Sequence, residues 1–167
     1  MVSKHTVYGL LLAAGIAAGL AHPAIAGSAQ VAQTQGHEPH GGSGTDGAPA
    51  NPAQANRVVR VDALDTTFSV KQIQVRAGET IKFVITNKSS IPHEFVIASH
   101  AEHLEHRKMM QQMSGMTMND EPNGVTVQPG QTKELVWKFG KDKDVEFACD
   151  IPGHAEQGMV GTFQVMK

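Results

Sequence analysis

The 167 residues contain one cysteine, Cys149. One thiol closes no internal disulfide and builds no zinc site of several thiolates. Neither sign of charge is in excess: 14 Lys and Arg stand against 16 Asp and Glu, a formal net charge of −2. That balance leaves no electrostatic footprint for nucleic acid, and no polybasic segment is present to hold acidic lipids. A long hydrophobic run is also missing. The apolar stretch "VYGLLLAAGIAAGLA" is shorter than the roughly 20 residues needed to cross a bilayer, and no stop-transfer charges follow it.

That stretch instead reads as a targeting segment. Lys4 precedes it, and "AIA" at 24–26 gives a small-x-small pattern before Gly27. Residues 1–26 are therefore expected to be a secretory signal peptide, cleaved on export to the periplasm, with no stable membrane insertion afterwards. The rival reading is an uncleaved anchor. A lone thiol in an oxidising compartment calls for an explanation, and holding a metal as thiolate is one. Residues 27–56 are rich in Gly, Ala, Pro, Gln and Ser, with almost no large apolar side chain. They cannot bury enough surface to offset ordering entropy, which predicts a disordered tail. His37 and His40 are incidental there, or form a weak scavenging site for metal ions.

From residue 57 to 167 the pattern changes to short alternating runs: "RVVRV", "FSVKQIQV", "TIKFVITN", "HEFVIA", "GVTV", "KELVWKF", "VEFAC" and "GTFQVM". Seven or eight short strands broken by turn residues predict an all-β antiparallel sandwich or barrel. The segment at about 99–124 does not fit. It is long for a sandwich loop, and its first part lacks Gly, Pro and β-branched residues, which predicts a short helix over 101–113 ended by Ser114 and Gly115.

Cys149 opens the stretch "CDIPGHAEQGM", which also supplies His154 and Met159. A thiolate, two imidazoles and a weak axial thioether make the trigonal electron-transfer copper site. "NKSSIPHEF" offers the second imidazole, His93, at the start of a strand. Strand ends of a sandwich gather at its two poles, so His93 and the 149–159 loop can meet. Pro152 and Gly153 shape the turn that lifts His154, and Gly158 lets the backbone bend before Met159. Taken singly, a lone cysteine is ordinarily a core thiol and a lone histidine a surface residue. Four donors in this order within a β context point to copper.

The stretch "FACDIPGHAEQGMVGTF", with "AGETIKFVITN" and "PHEFVI" upstream, resembles the cupredoxins, the blue copper proteins related to azurin, plastocyanin and auracyanin. The likeness spans about 57–167 and is greatest to the exported copper-tolerance cupredoxins of the CopI type. The resemblance implies a Greek-key cupredoxin sandwich. It also implies a type 1 copper site with His93, Cys149 and His154 as equatorial ligands and Met159 as the axial one. One position departs from the family. Several members carry a small polar residue, often Asn, after the first histidine, where this chain has Glu94. Strand alternation points Glu94 away from the His93 side chain, so it is expected to act behind the metal ligands or at the surface, the alternative being that it approaches the metal. A single cysteine excludes the mixed-valence dinuclear copper centre. Ala148 and Asp150, flanking Cys149, exclude the histidine-flanked cysteines of multicopper oxidases and copper nitrite reductases. The chain is therefore expected not to be an enzyme.

The insertion carries His100, His103, His106, Met109, Met110, Met113, Met116 and Met118. On a helix His103, His106, Met110 and Met113 fall on one face. Thioethers suit Cu(I), and imidazole holds either oxidation state, so these residues form a possible second copper site. The other readings are an amphipathic flap, with methionines as adaptable core filler and Leu104 as the sole aliphatic anchor, and a Met-rich docking surface. Two functions follow. The first is an exported protein that confers copper tolerance by binding and sequestering copper. The second is a soluble electron carrier whose port is an apolar rim at Ile151 and Val160 around His154. A copper chaperone to another exported protein is a third possibility.

Overall fold

The computed structural model describes residues 47–112 and 120–167. The expected signal peptide, His37, His40, the helix stop at Ser114 and Gly115, and Met113, Met116 and Met118 lie outside the described residues. Among the described residues nine strands and one α-helix form the fold: β1 Gly47–Pro49, β2 Arg57–Ala63, β3 Gln72–Arg76, β4 Thr80–Asn87, β5 His93–Ala98, α1 His100–Gln112, β6 Gly124–Val127, β7 Thr132–Phe139, β8 Glu146–Ala148 and β9 Val160–Met166. Two sheets pack face to face, ordered β1-β7-β4-β2 and β3-β9-β8-β5-β6.

Alternation accounts for the sheet surfaces. In β3, Ile73 and Val75 are buried while Gln72, Gln74 and Arg76 are exposed, the period of a strand with one wet face. In β4, Ile81, Phe83 and Ile85 are fully buried. The six residues of β5 are all buried, because β8 and β6 flank it and both its faces are covered. Phe95 and Ile97 join the core on one side, and Val96 and Ala98 line a cavity beneath α1 on the other. The core centres on phenylalanines. Phe95 and Phe147 stack at 5.2 Å, and Phe83 meets Phe163 edge-on at 5.8 Å.

Three expectations are corrected. First, the sheets are mixed: β2 pairs with β4, and β3 with β9, in parallel. Alternation reports which face is buried and says nothing of the neighbour's direction. Second, Phe68 is not part of the third strand. It is buried and makes one isolated bridge to Ala63, while the strand proper begins at Gln72. Third, residues 47–56, assigned to the tail by composition, are ordered. β1 pairs antiparallel with β7, Gly47 opposite Phe139 and Pro49 opposite Trp137. Asn51 caps a turn of 3-10 helix at Pro52–Gln54 in a capping box, and Asn56 Oδ1 accepts from Thr80 N at 2.8 Å. Hydrogen bonds to an open sheet edge order this stretch, a term that a count of apolar residues omits.

The helix forms one residue earlier than expected because Ser99 caps it. Ser99 Oγ accepts from Glu102 N at 3.3 Å, and Glu102 Oε2 accepts from Ser99 N at 2.9 Å, the reciprocal pair of a capping box. Its buried residues are His103 and Met110. Leu104 is 43% exposed, so an imidazole, not the aliphatic side chain, anchors this helix.

Candidate metal centre

β5 and the β8–β9 loop deliver the donors to one pole of the sandwich. His93 is the first residue of β5, placed by the turn before it. Asn87 Nδ2 donates to Ile91 O at 2.7 Å and to Val127 O at 2.8 Å, and Asn87 Oδ1 accepts from Ser89 N at 2.9 Å. The Ser89 hydroxyl lies 2.9 Å from Asn87 Oδ1, 3.0 Å from Ile91 O and 2.8 Å from His93 Nε2. The hydroxyl has one proton, and both Asn87 Oδ1 and Ile91 O can only accept it. With that proton on either oxygen, Ser89 accepts from Nε2–H of His93, and Nδ1 then keeps its lone pair, the arrangement expected of a metal-binding imidazole.

The loop holds the other donors by backbone bonds. Cys149 N donates to Met159 O at 3.1 Å, Met159 N to His154 O at 3.0 Å and His154 N to Ile151 O at 3.0 Å. Gly153 and Gly158 take positive φ, 88° and 96°, which side chains disfavour. Cys149 Sγ lies 3.3 Å from His154 Nδ1 and 3.9 Å from His93 Nδ1, and the two nitrogens are 3.2 Å apart. A triangle with edges of about 3.5 Å has corners about 2.0 Å from its centre, the length of a metal–imidazole bond. The donor set therefore fits one soft-to-borderline metal ion. Among the described residues these three form the one group of His, Cys, Asp or Glu whose donor atoms all lie within 4.8 Å of one another. Met159 is fully buried in the same core cluster as Cys149, tied to both Cys149 and His154 through its backbone.

The surroundings set the protons. Burial, together with the neighbouring His154, holds His93 down at about 4, and burial also lowers His154. Both rings are thus neutral and free to donate at neutral pH. Burial pushes the Cys149 thiol up to about 12, opposed by hydrogen bonds from the backbone of Glu94 and Ile151. Without a cation the sulfur keeps its proton; a metal at the centre of the triangle would displace it.

Sequence reasoning singled out Glu94 but missed Asn87, Ser89 and the buried partners of Asp150 behind these donors. Glu94 does point away from His93, but it is 4% exposed and not at the surface. Its backbone N–H donates to Cys149 Sγ at 3.3 Å. Burial and the charge of Asp150 raise its carboxyl to about 7. Asn87 and Ser89 carry a recognisable signal, since Asn two residues before Ser forms an Asx-type turn. Of the insertion, His100 sits outside, 3.2 Å from Glu146. His103 is fully buried against Asp150, Met110 is buried, and His106 and Met109 are half-buried. His103 Nε2 and His106 Nε2 are buried without a hydrogen-bond partner among the described residues, and their residues line a cavity of about 470 Å³ under α1.

Comparison with known proteins agrees with this geometry. The family model described as copper binding proteins, plastocyanin/azurin family, matches residues 55–166. The chain is 48% identical over 122 residues to the copper-resistant cuproprotein CopI of Vibrio cholerae, covering 71% of each chain. It is 39% identical over 147 residues to the protein of that name from Pseudomonas aeruginosa, covering 71% of this chain and 81% of that one. In fold it is similar to auracyanin B, with a TM-score of 0.60 at 17% identity over 74% of this chain and 97% of that one. A sandwich that brings one cysteine sulfur and two neutral imidazoles together at its pole, with a family match across both sheets, places this chain in the plastocyanin/azurin family of copper-binding proteins, the cupredoxins.

Proposed function

We propose that this chain is an exported copper-tolerance protein that holds one copper ion through His93, Cys149 and His154, with Met159 as a weak axial donor. The observation that carries the reading is the triangle of donor atoms, 3.2 to 3.9 Å on its edges, in a chain close in sequence to copper-resistant cuproproteins. A bound copper ion supplies one-electron chemistry and a strong thiolate-to-Cu(II) absorption. The protein supplies a rigid frame. Asn87 and Ser89 fix the His93 ring, the backbone bonds between Cys149, His154 and Met159 fix the loop, and core packing excludes water from the sulfur.

In this reading the insertion gives the capture function. Among the described residues His103 Nε2 and His106 Nε2 are buried without a hydrogen-bond partner, in a cavity that Met109 also lines, which supports a second copper site there. Met113, Met116 and Met118, which lie outside the described residues, are counted with this capture function from the sequence alone. The apolar signal at 1–26 supports export to the periplasm. Copper titration of the purified protein, with visible absorption and metal counting, tests both sites. The wild type is expected to bind more than one copper per chain. Cys149→Ser is expected to lose the colour, and deletion of the protein to sensitise cells to copper. One copper per chain together with normal copper survival would contradict the tolerance reading.

The second reading is electron transfer. Ile151, His154 and Val160 are each part-exposed, which supports an apolar rim of the kind a redox partner can dock on. Fast exchange with a cytochrome, lost in Ile151→Glu, together with unchanged copper survival, would favour it.

A further inference from the structure

Helix α1 is joined to the metal loop by a buried set of contacts that neither site explains. Asp150 directly follows Cys149 and is fully buried. Its Oδ2 lies 2.8 Å from His103 Nδ1, and neither side chain has exposed surface. Its Oδ1 accepts from Arg107 at 3.0 Å. A carboxylate can only accept here, so Nδ1 of His103 carries the proton. His103 and Arg107 are four residues apart on one helical face, and together they occupy both oxygens of one buried carboxylate. A buried charge is tolerated only with such partners, so the helix and the residue after the cysteine are held to each other.

The same short piece of chain is fixed from its other side. Ala148 pairs with both Val96 and Val160, and Cys149 Sγ accepts from Glu94 N. Residues 148, 149 and 150 are thus held by β5, by β9 and by α1. Displacing the Cys149 backbone, and with it the sulfur relative to the two imidazoles, would pull on the adjoining Asp150, which the helix holds.

We propose that Asp150, His103 and Arg107 are positioning residues of the copper centre, through which the insertion helix sets the orientation of the Cys149 sulfur. The inference rests on the reading of Cys149 as a copper ligand and gives the insertion a role separate from metal capture. His103 works through Nδ1 in positioning, while its Nε2 faces the cavity.

Two substitutions separate these roles. His103→Leu removes the donor and nearly keeps the bulk. His103→Asn restores an N–H near the place of Nδ1 but has no atom in the place of Nε2. With Cu(II) as the probe on the purified protein, His103→Leu is expected to keep one coloured copper. The intensity ratio of its two thiolate-to-Cu(II) bands, its copper hyperfine splitting and its reduction potential are expected to shift. His103→Asn is expected to keep the wild-type spectrum while the total copper count falls. If His103→Leu does not fold, Arg107→Met, which removes the second donor at a half-buried position, decides alone. Spectra identical to wild type in the folded variants overturn the proposal. So does a His103→Asn spectrum as altered as that of His103→Leu, since packing alone would then be at work. A wild type without thiolate colour overturns the copper assignment of Cys149 itself.

Discussion

The backbone N–H of Glu94 donates to the sulfur of Cys149 across 3.3 Å. One strand thus presents both a ring donor, His93, and the amide that caps the sulfur one residue later. An N–H aimed at sulfur favours its anionic form, against the burial that pushes the thiol up to about 12. Four expectations follow, three from the environment of these groups and one from the packed core.

Copper affinity should rise with pH by about tenfold per unit, because binding displaces one proton from Cys149. Both imidazoles are lowered from 6.5, His93 to about 4, so above 6.5 they contribute no further proton competition. The thiol remains protonated in the metal-free protein until about 12. Chelator competition between pH 7 and 9 measures the slope; a flat profile would mean the sulfur is not a ligand.

Glu94→Gln should stabilise the metal-free protein at alkaline pH and not at acid pH. The Glu94 carboxyl is raised from 4.5 to about 7 by burial and by Asp150, with a smaller push from Glu121, and it shares a small pocket with His106. A raised folded pKa contributes stability below 4.5 that is lost as pH climbs through about 7. The glutamine variant lacks that loss, so its advantage should grow to roughly 1–3 kcal/mol by pH 8. Urea unfolding at pH 4.5 and pH 8 checks it; an equal difference at both would refute the assignment.

Ser89→Ala should weaken copper binding by about 10–100-fold, the usual effect of losing a partner behind a metal-binding imidazole. The hydroxyl touches His93 Nε2 at 2.8 Å and no other donor of the triangle. The colour should therefore persist at saturating copper, while the dissociation constant from competition titration moves.

Gly161→Ala should destabilise the fold by about 1–3 kcal/mol through overpacking. A β-carbon at Gly161 would sit 2.1 Å from the Phe147 ring, and Phe147 has no free space to retreat into among Phe68, Phe95 and Phe163. Thermal unfolding followed by circular dichroism reads the cost.

Much of this molecule is visible in its residues, because its strongest signals are local. Ile81, Phe83 and Ile85 mark β4 by alternation alone, and the Cys-x4-His-x4-Met spacing names its own loop. His93 could be found because a strand start and a sandwich pole coincide. Parallel pairing could not, since Val59 beside Phe83 looks the same whichever way its neighbour runs. The order of 47–56 was hidden because hydrogen bonds to β7 hold it in place of apolar burial. Leu104 misled because helix amphipathicity ranks residues by hydropathy, whereas His103 goes inward to meet a carboxylate 47 residues away. The S-x-x-E of Ser99 and Glu102 was legible and fixes the helix start. A buried ion pair across distant segments has no sequence period at all.

The three residues of β1 cover part of the outer edge of β7. A chain trimmed to begin at Arg57 would keep every proposed copper ligand and yet bare the amide and carbonyl groups of residues 137–139 along a sheet margin that also bears Trp137 and Phe139. Unpaired margins of that kind recruit strands from neighbouring molecules. The shortened protein would therefore be expected to self-associate on concentration, a failure of solubility that could be mistaken for a failure to bind metal.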